Sequence, residues 1–318
     1  MKILFHTNTL NYRGTAVAVT DYARFNQEIL GNESIISYDA SMPYEKDMGT
    51  EPEVLEKLKQ QFHVVEHYGN PQTAVDQTGC DVAYFLRSGD QGFIANNCRT
   101  VVHAVFQLYQ PHADRYAYIS EWLANHMNSQ HNGTVPYVPH MVNLPEPTQN
   151  YRQALNIPAD KTIIGRIGGF RTFDLTFVKQ AIYNLLEQRD DYVFVMVGTD
   201  PWIDHPNVRF QREFVDLQTK ANFINTCDAM LHARSNGESF GLAIVEALAM
   251  NKPILSWEGG GDQNHTLILT DSGLLYNTET FAEKLNTVRD YINKEDWTQR
   301  VAQFKPDPVM KKFKEVFL

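Results

Sequence analysis

The chain reads as an α/β protein of two parallel-sheet domains, and three features of the sequence predict it. Short β-branched runs alternate with segments whose apolar residues recur at helical spacing, from KILFHT at the amino end to PILSW around residue 255. Such alternation favours parallel sheets with helices on both faces. A length of 318 residues suits two domains of roughly 150 residues each. Between the halves, NLPEPTQNYRQALNIPADK carries Pro145, Pro147 and Pro158 and breaks the periodicity as a linker would. The expected division is residues 1–145 and 146–304, with a helix over about 305–318.

In the first half, the strand KILFHT leads through Tyr12, Arg13, Gly14 and Thr15 into the helical AVAVTDYARFNQEIL. ESIISYD, the helical PEVLEKLKQQF, HVVEHY, a short helical piece and DVAYFLRSG continue the alternation. TVVHAVFQ and RYAYIS add two β-rich segments, followed by a helix in SEWLANHMN and a short VPYVPHMV. The second half restarts with TIIGRIGGF and the helical TFVKQAIYNLLEQR. YVFVMVG, NVRFQ, the helical DLQTKANFIN, DAMLHA, a helix around Glu246 and PILSW follow. In these sheets ligands bind beyond the carboxyl ends of strands, so the loops just after a strand are the informative ones.

Apolar residues at 43% and charged residues at 21% describe a soluble globular protein, and no apolar run approaches the roughly 20 residues of a bilayer span. The start, MKILFHTNTL, turns polar after Phe5 and lacks the pattern of a secretory signal, so a cytoplasmic protein is expected. A formal charge of -10 repels phosphate polymers, and no basic patch for nucleic acid stands out. MKKFKEVFL reads as a packed amphipathic helix rather than a membrane-surface segment. Cys80, Cys98 and Cys227 include no CxxC pair, which argues for reduced thiols in the core. The acceptor patterns NES, NGT and NHT are chance without a secretion signal. Asp200, Asp204 and His205 match no metal template and read as a surface loop. Tyr12 and Trp122 could stack on a sugar, but with 37 aromatic residues each reads first as core.

Two constellations carry chemistry. Gly165, Arg166, Gly168, Gly169 and Arg171 form the first strand-to-helix loop of the second half, where glycines allow close approach and the coming helix offers N–H groups and positive charge to a diphosphate. The bland alternative is a tight turn with solvated arginines. Glu238 and Glu246, eight apart in RSNGESFGLAIVEALA, share one flank if the segment is helical from about Ser239. Glu238 would also suit a helix start, which favours a carboxylate by roughly 0.3 to 1 kcal/mol. Glu246 lies among Ala243, Ile244, Val245, Ala247 and Leu248, where a carboxylate needs donors. The hydroxyls of a ribose would supply them, each such bond contributing about 1.5 to 3 kcal/mol; the alternative is a partly exposed residue on an amphipathic helix.

On these residues the chain resembles the retaining GT-B glycosyltransferases, and family 4 of them in particular. ESFGLAIVEALAMNKPILSW is similar to their E-x7-E signature, GRIGGFR to their GR-x4-K loop with Arg171 in place of Lys, and EGGGDQNHTLILTDSGLLY to the late glycine-containing loop and GLL segment. MKILFHT, RGTAVAV, TVVHAVFQ, YISEWL and VPYVPHMV fit the family's order more loosely. Two positions depart: the first loop carries Gly14-Thr15 where GG is usual, and Gln263 or Asn264 replaces a carboxylate in the late loop.

The resemblance implies two Rossmann-like domains facing across a cleft, with residues 305–318 packing back onto the first. It implies that Arg166 and Arg171 hold the diphosphate, Glu246 the ribose and Glu238 the donor sugar. Phe240, Gly241 and Leu242 would offer backbone N–H groups, His103 would sit near the anomeric centre, and Gly14 would let the first loop close on the phosphates. For His103 the plain reading is a satisfied structural histidine; His140 faces the cleft or caps the hinge. The implied activity is transfer of a sugar from a GDP- or UDP-sugar to a hydroxyl of a glycan, lipid or protein, with retention of configuration. Cations aimed at the leaving diphosphate would stabilise the transition state more than the ground state. With no DxD triad and no His/Cys cluster, no obligatory metal and no cofactor beyond the nucleotide sugar are expected. A sugar-nucleotide epimerase of the same fold and a non-catalytic nucleotide-sugar-binding module are the rival readings. A nicotinamide oxidoreductase would need a GxGxxG loop that is absent.

Overall fold

The computed structural model describes residues 1–11, 14–43, 49–169, 171–212, 214 and 216–318; Tyr12 and Phe170 lie outside these. The chain divides into two compact units, Met1–Met141 with Phe304–Leu318, and Val142–Gln303.

In the first unit, β1 (Lys2–His6), α1 (Gly14–Glu28), β2 (Glu33–Asp39), α2 (Pro52–Lys59), β3 (His63–His67), α3 (Gln72–Thr78), β4 (Val82–Arg87), β5 (Arg99–Ala104), β6 (Arg115–Tyr118) and α4 (Glu121–His131) follow in order. The six strands form a parallel sheet ordered β3-β2-β1-β4-β5-β6, with Leu4 opposite both Ile35 and Ala83. Its inner strands are apolar without alternation because both faces are covered: Ile3, Leu4, Phe5, Val82, Ala83 and Tyr84 are all buried. Ser120 caps α4 by accepting from the Leu123 N–H at 3.2 Å, and Asn132 ends it in the left-handed region at φ 52°. VPYVPHMV contributes a single parallel bridge, Tyr137 to Tyr118, among the described residues. Pro136 and Pro139 lack the N–H groups that would extend it.

The second unit holds β7 (Thr162–Ile167), α5 (Thr176–Leu186), β8 (Tyr192–Val197), β9 (Val208–Gln211), α6 (Leu217–Thr226), β10 (Ala229–His232), β11 (Gly237–Glu238), α7 (Leu242–Ala249), β12 (Ile254–Trp257), β13 (Asp262–Gln263), α8 (Asn264–Ile268), β14 (Leu275–Tyr276) and α9 (Phe281–Asn286). Its parallel sheet runs β14-β12-β10-β7-β8-β9, while β11 and β13 form a separate two-stranded ribbon. Both large sheets thus wind outward in opposite directions from their first strand, the doubly wound order of Rossmann-like domains.

The last helix, α10 (Pro306–Phe317), belongs to the first unit. Phe313 lies 5.3 Å ring to ring from Tyr22 and Phe317 lies 5.8 Å from Tyr84, and Arg99 donates to the Leu318 carbonyl at 3.0 Å. Among the described residues, no helix is long and apolar enough to cross a membrane. The three cysteines are free, but Cys80 and Cys98, distant in sequence, place their sulfurs 3.7 Å apart because each leads into one of two neighbouring strands. Burial, with the Cys80 thiol beside it, raises the Cys98 thiol to about 12.

Candidate functional site

Doubly wound sheets bind ligands where the strand order reverses, outside the carboxyl ends of the strands. In the second unit that point lies between β7 and β10, where Gly165 pairs with Met230. Two loops leave the sheet there, residues 168–175 and 233–241, and Asp174 joins them. Its carboxylate accepts from the Ser235 N–H at 2.8 Å and from the Ser235 hydroxyl at 2.6 Å, and its own N–H donates to the Ala233 carbonyl at 3.2 Å. The GRIGGFR loop and the segment leading to Glu238 are therefore tied side by side.

Glu238 is not on the helix. The helix begins at Leu242, and Glu238 lies in β11, paired with Gln263 of β13. Gly237 before it has φ 70°, and a Cβ there would run into the Asp262 carbonyl, so only glycine lets the ribbon form. The carboxylate is held from both sides: His232 Nε2 donates to Oε1 at 3.0 Å and Arg234 Nη1 to Oε2 at 3.1 Å. Burial would raise this carboxyl, but the hydrogen bond and charge of His232 and those of Arg234 outweigh it and hold the group below its ordinary value. His232 Nδ1 in turn meets the Ser256 hydroxyl at 2.9 Å. Behind them His265 donates from Nε2 to the Trp257 carbonyl at 2.7 Å and accepts the Glu238 N–H at Nδ1, 3.3 Å away. That pattern needs the neutral ring, and burial together with nearby His232 lowers His265 to about 4.

The start of α7 follows at once. Phe240 is buried, its carbonyl accepting from Asn264 Nδ2 at 2.8 Å. Gly241 is the N-cap at φ 95°, with no side-chain cap, and its carbonyl receives the Ile244 and Val245 N–H groups. The N–H groups of Leu242 and Ala243 precede those bonds, so this end of the helix carries partial positive charge about one turn from Glu246.

Glu246 is 5% exposed, and its donor is a residue of the chain: Lys220 of α6 reaches Oε1 at 2.8 Å. The sequence pointed to ribose hydroxyls as donors and did not reveal this lysine, whose ammonium offsets the desolvation of the carboxylate. No described residue donates to Oε2.

The two arginines part company. Arg166 is 3% exposed and its guanidinium is spent on the loop: Nη1 donates to the carbonyls of Val197 at 2.9 Å and Gly198 at 2.7 Å and to the Thr199 hydroxyl, while Nη2 donates to the Gly169 carbonyl and the Thr172 hydroxyl. It binds the end of β8 to the glycine loop and so shapes the segment expected to meet a diphosphate. Arg171 is exposed at φ 60°, ahead of α5.

The remaining candidates lie in the first unit. His103 is 0% exposed; it meets the Tyr84 hydroxyl at Nδ1, 2.6 Å away, and donates from Nε2 to the Val138 carbonyl at 2.8 Å. Burial drives it to about 3, against the pull of the Val138 and Tyr118 carbonyls. With both nitrogens used and its ring 5.2 Å from that of Phe317, His103 matches the plain reading of a satisfied structural histidine. His140 is buried beside it. Gly14 is exposed as the first residue of α1. Trp122 stacks on His126 along α4 at 4.8 Å. Among the described residues, no group of three or more His, Cys, Asp or Glu side chains could hold a metal ion.

Reasoning from the sequence missed His232, Arg234, His265, Asp174 and Lys220. DAMLHA carried a usable signal, since a polar ring closing an apolar strand sits where ligand loops begin.

No curated protein matches the chain in sequence. Among solved structures, Anabaena Alr3699/HepE in complex with UDP-glucose superposes with a TM-score of 0.72 at 15% identity, over 99% of this chain and 98% of that one. WaaG, a glycosyltransferase involved in lipopolysaccharide biosynthesis, gives 0.65 at 10% identity over 99% of both chains. S. aureus MnaA with UDP gives 0.63 at 13% identity over 98% and 94%. Residues 161–290 match the model of the family Glycosyl transferases group 1, and from end to end the chain has the fold of GT-B glycosyltransferases.

Proposed function

We propose that the protein is a glycosyltransferase that moves a sugar from a UDP- or GDP-sugar to a hydroxyl of a glycan, lipid or protein, with retention of configuration and without an obligatory metal. The observation that carries the reading is a coincidence of place: residues 161–290, which match the glycosyltransferase model, contain both strands of the switch point, Glu238, the open start of α7 and Glu246. UDP-glucose bound by HepE supports a nucleotide-sugar donor, and UDP is the first nucleotide to try.

In this reading the diphosphate lies at the start of α7, with the exposed Arg171 supplying charge and Arg166 keeping the glycine loop in shape. The Arg171 guanidinium offers a planar fork to a pair of phosphate oxygens. Glu238, fixed by His232 and Arg234, accepts from hydroxyls of the donor sugar, and Glu246 accepts from the ribose. As the bond between the anomeric carbon and the phosphate oxygen breaks, negative charge grows on the diphosphate, where the helix end and Arg171 stabilise it. The acceptor oxygen bonds to the anomeric carbon from the same face, and its proton passes to the departing phosphate.

NMR of UDP- and GDP-sugars incubated with the protein, with and without hydroxyl acceptors, tests this. Transfer yields free nucleoside diphosphate and a glycoside of unchanged anomeric configuration. A new nucleotide sugar without free nucleotide would mean epimerisation, and binding without turnover would mean a binding module; either overturns the proposal.

A further inference from the structure

Lys220 appears in neither of the constellations read from the sequence, yet it makes the closest polar contact to the buried Glu246. The ammonium is on α6, whose start is set by Asp216: its carboxylate accepts from the Thr219 N–H at 2.8 Å and from the Thr219 hydroxyl at 2.9 Å. The base of the side chain is thus on a capped helix, and its tip is 2.8 Å from Glu246 Oε1. Both partners are shielded, with the side chains 15% and 7% exposed.

Beside Glu246 in the helix, Ile244, Val245, Ala247 and Leu248 are all buried and have no side-chain donor. A carboxylate in such a place either keeps a partner or loses its charge. Lys220 supplies the partner and occupies one oxygen only. Oε2 is left as an acceptor whose direction is fixed by the anchored Oε1, and a fixed acceptor costs less ordering when a ligand hydroxyl arrives.

We propose that Lys220 is a positioning residue for nucleotide recognition, holding Oε1 of Glu246 so that Oε2 accepts from the ribose diol and the site prefers ribose to deoxyribose. The inference rests on the reading of Glu246 as the ribose contact. Its signature is a ratio of affinities, which a purely structural ion pair would leave unchanged.

The experiment is calorimetric titration with whichever of UDP, GDP and ADP binds most tightly to the full chain, and with the 2′,3′-dideoxy form of the same nucleotide. Wild-type protein should prefer the ribose form by about tenfold or more, the worth of one charge-assisted hydrogen bond. Lys220→Met should bring the two affinities within about threefold of each other, mainly by weakening the ribose form, and Lys220→Arg should restore most of the preference. If Lys220→Met does not fold, Lys220→Gln carries the test, with an intermediate ratio expected. A ratio unchanged or widened in the neutral variants overturns the role of Lys220 alone. A wild-type ratio near one, with the nucleotide bound, overturns the ribose contact and this proposal together. Failure of all three nucleotides to bind overturns the functional reading beneath them.

Discussion

His232 Nε2 stands 3.0 Å from Glu238 Oε1, so the ring that closes one apolar strand is the brace for the carboxylate of the next ribbon. With Arg234 on the other oxygen, Glu238 is held in one pose and below its ordinary pKa. Glu238→Gln keeps the shape and removes the charge. It should lower kcat/KM for the nucleotide sugar by about 10- to 150-fold, the worth of a hydrogen bond to a charged group, while the affinity for free nucleoside diphosphate changes less than about threefold. Steady-state kinetics beside calorimetry on the same variant measures both.

Arg166 and Arg171 should separate by readout. Arg166→Ala strips the buried donors from at least six acceptors and should cost at least about 3 kcal/mol in urea unfolding. Arg171→Ala, at an exposed position, should stay within about 0.5 kcal/mol of wild type in stability. Its nucleotide affinity should fall, and the loss should shrink as salt is raised, as expected for an exposed charge acting on a phosphate.

Gly237→Ala should displace Glu238 without touching its charge. The left-handed φ of 70° and the Asp262 carbonyl leave no place for a Cβ. A stability loss of roughly 2 kcal/mol or more is expected from strain and overpacking, with turnover lost alongside. Thermal unfolding and activity on the one variant check it.

Histidines make folding sensitive to mild acid. His103 and His6 are pushed to about 3, and His265 to about 4, chiefly by burial. An unfolded histidine titrates near 6.5, so between about pH 6.5 and 4 the unfolded chain holds protons that the folded chain refuses. Stability is therefore full above about 6.5 and falls as the pH drops through that window, by up to about 1.4 kcal/mol per pH unit for each such ring. Urea unfolding at pH 7 and pH 5 should show the loss, and His103→Phe should make the slope shallower.

The fold was legible because it is written locally. Runs such as KILFH and YVFVMV carry no alternation, which marks strands buried on both faces, and helical spacing fills the gaps between them. VPYVPHMV shows where the pattern misleads, since its apolar content suits a strand but its prolines remove the donors. The site was less legible because its partners come from far along the chain. Glu246 announced a need for a donor, but Lys220 sits 26 residues earlier on another helix. Arg166 and Arg171 look alike in GRIGGFR, and only the carbonyls of Val197 and Gly198 distinguish the buried one. Glu238, expected at the start of a helix from about Ser239, lies instead in a ribbon with Gln263, and the helix begins only at Leu242.

In the proposed function the second unit binds a nucleoside diphosphate at the start of α7. Titration of the wild-type chain with UDP, GDP and ADP, repeated on Glu246→Ala, puts this binding to the proof. At least one of them should bind saturably and one-to-one, and the variant should bind it about tenfold or more weakly. No binding of any of the three at millimolar concentration, or equal affinity in wild type and variant, would contradict it.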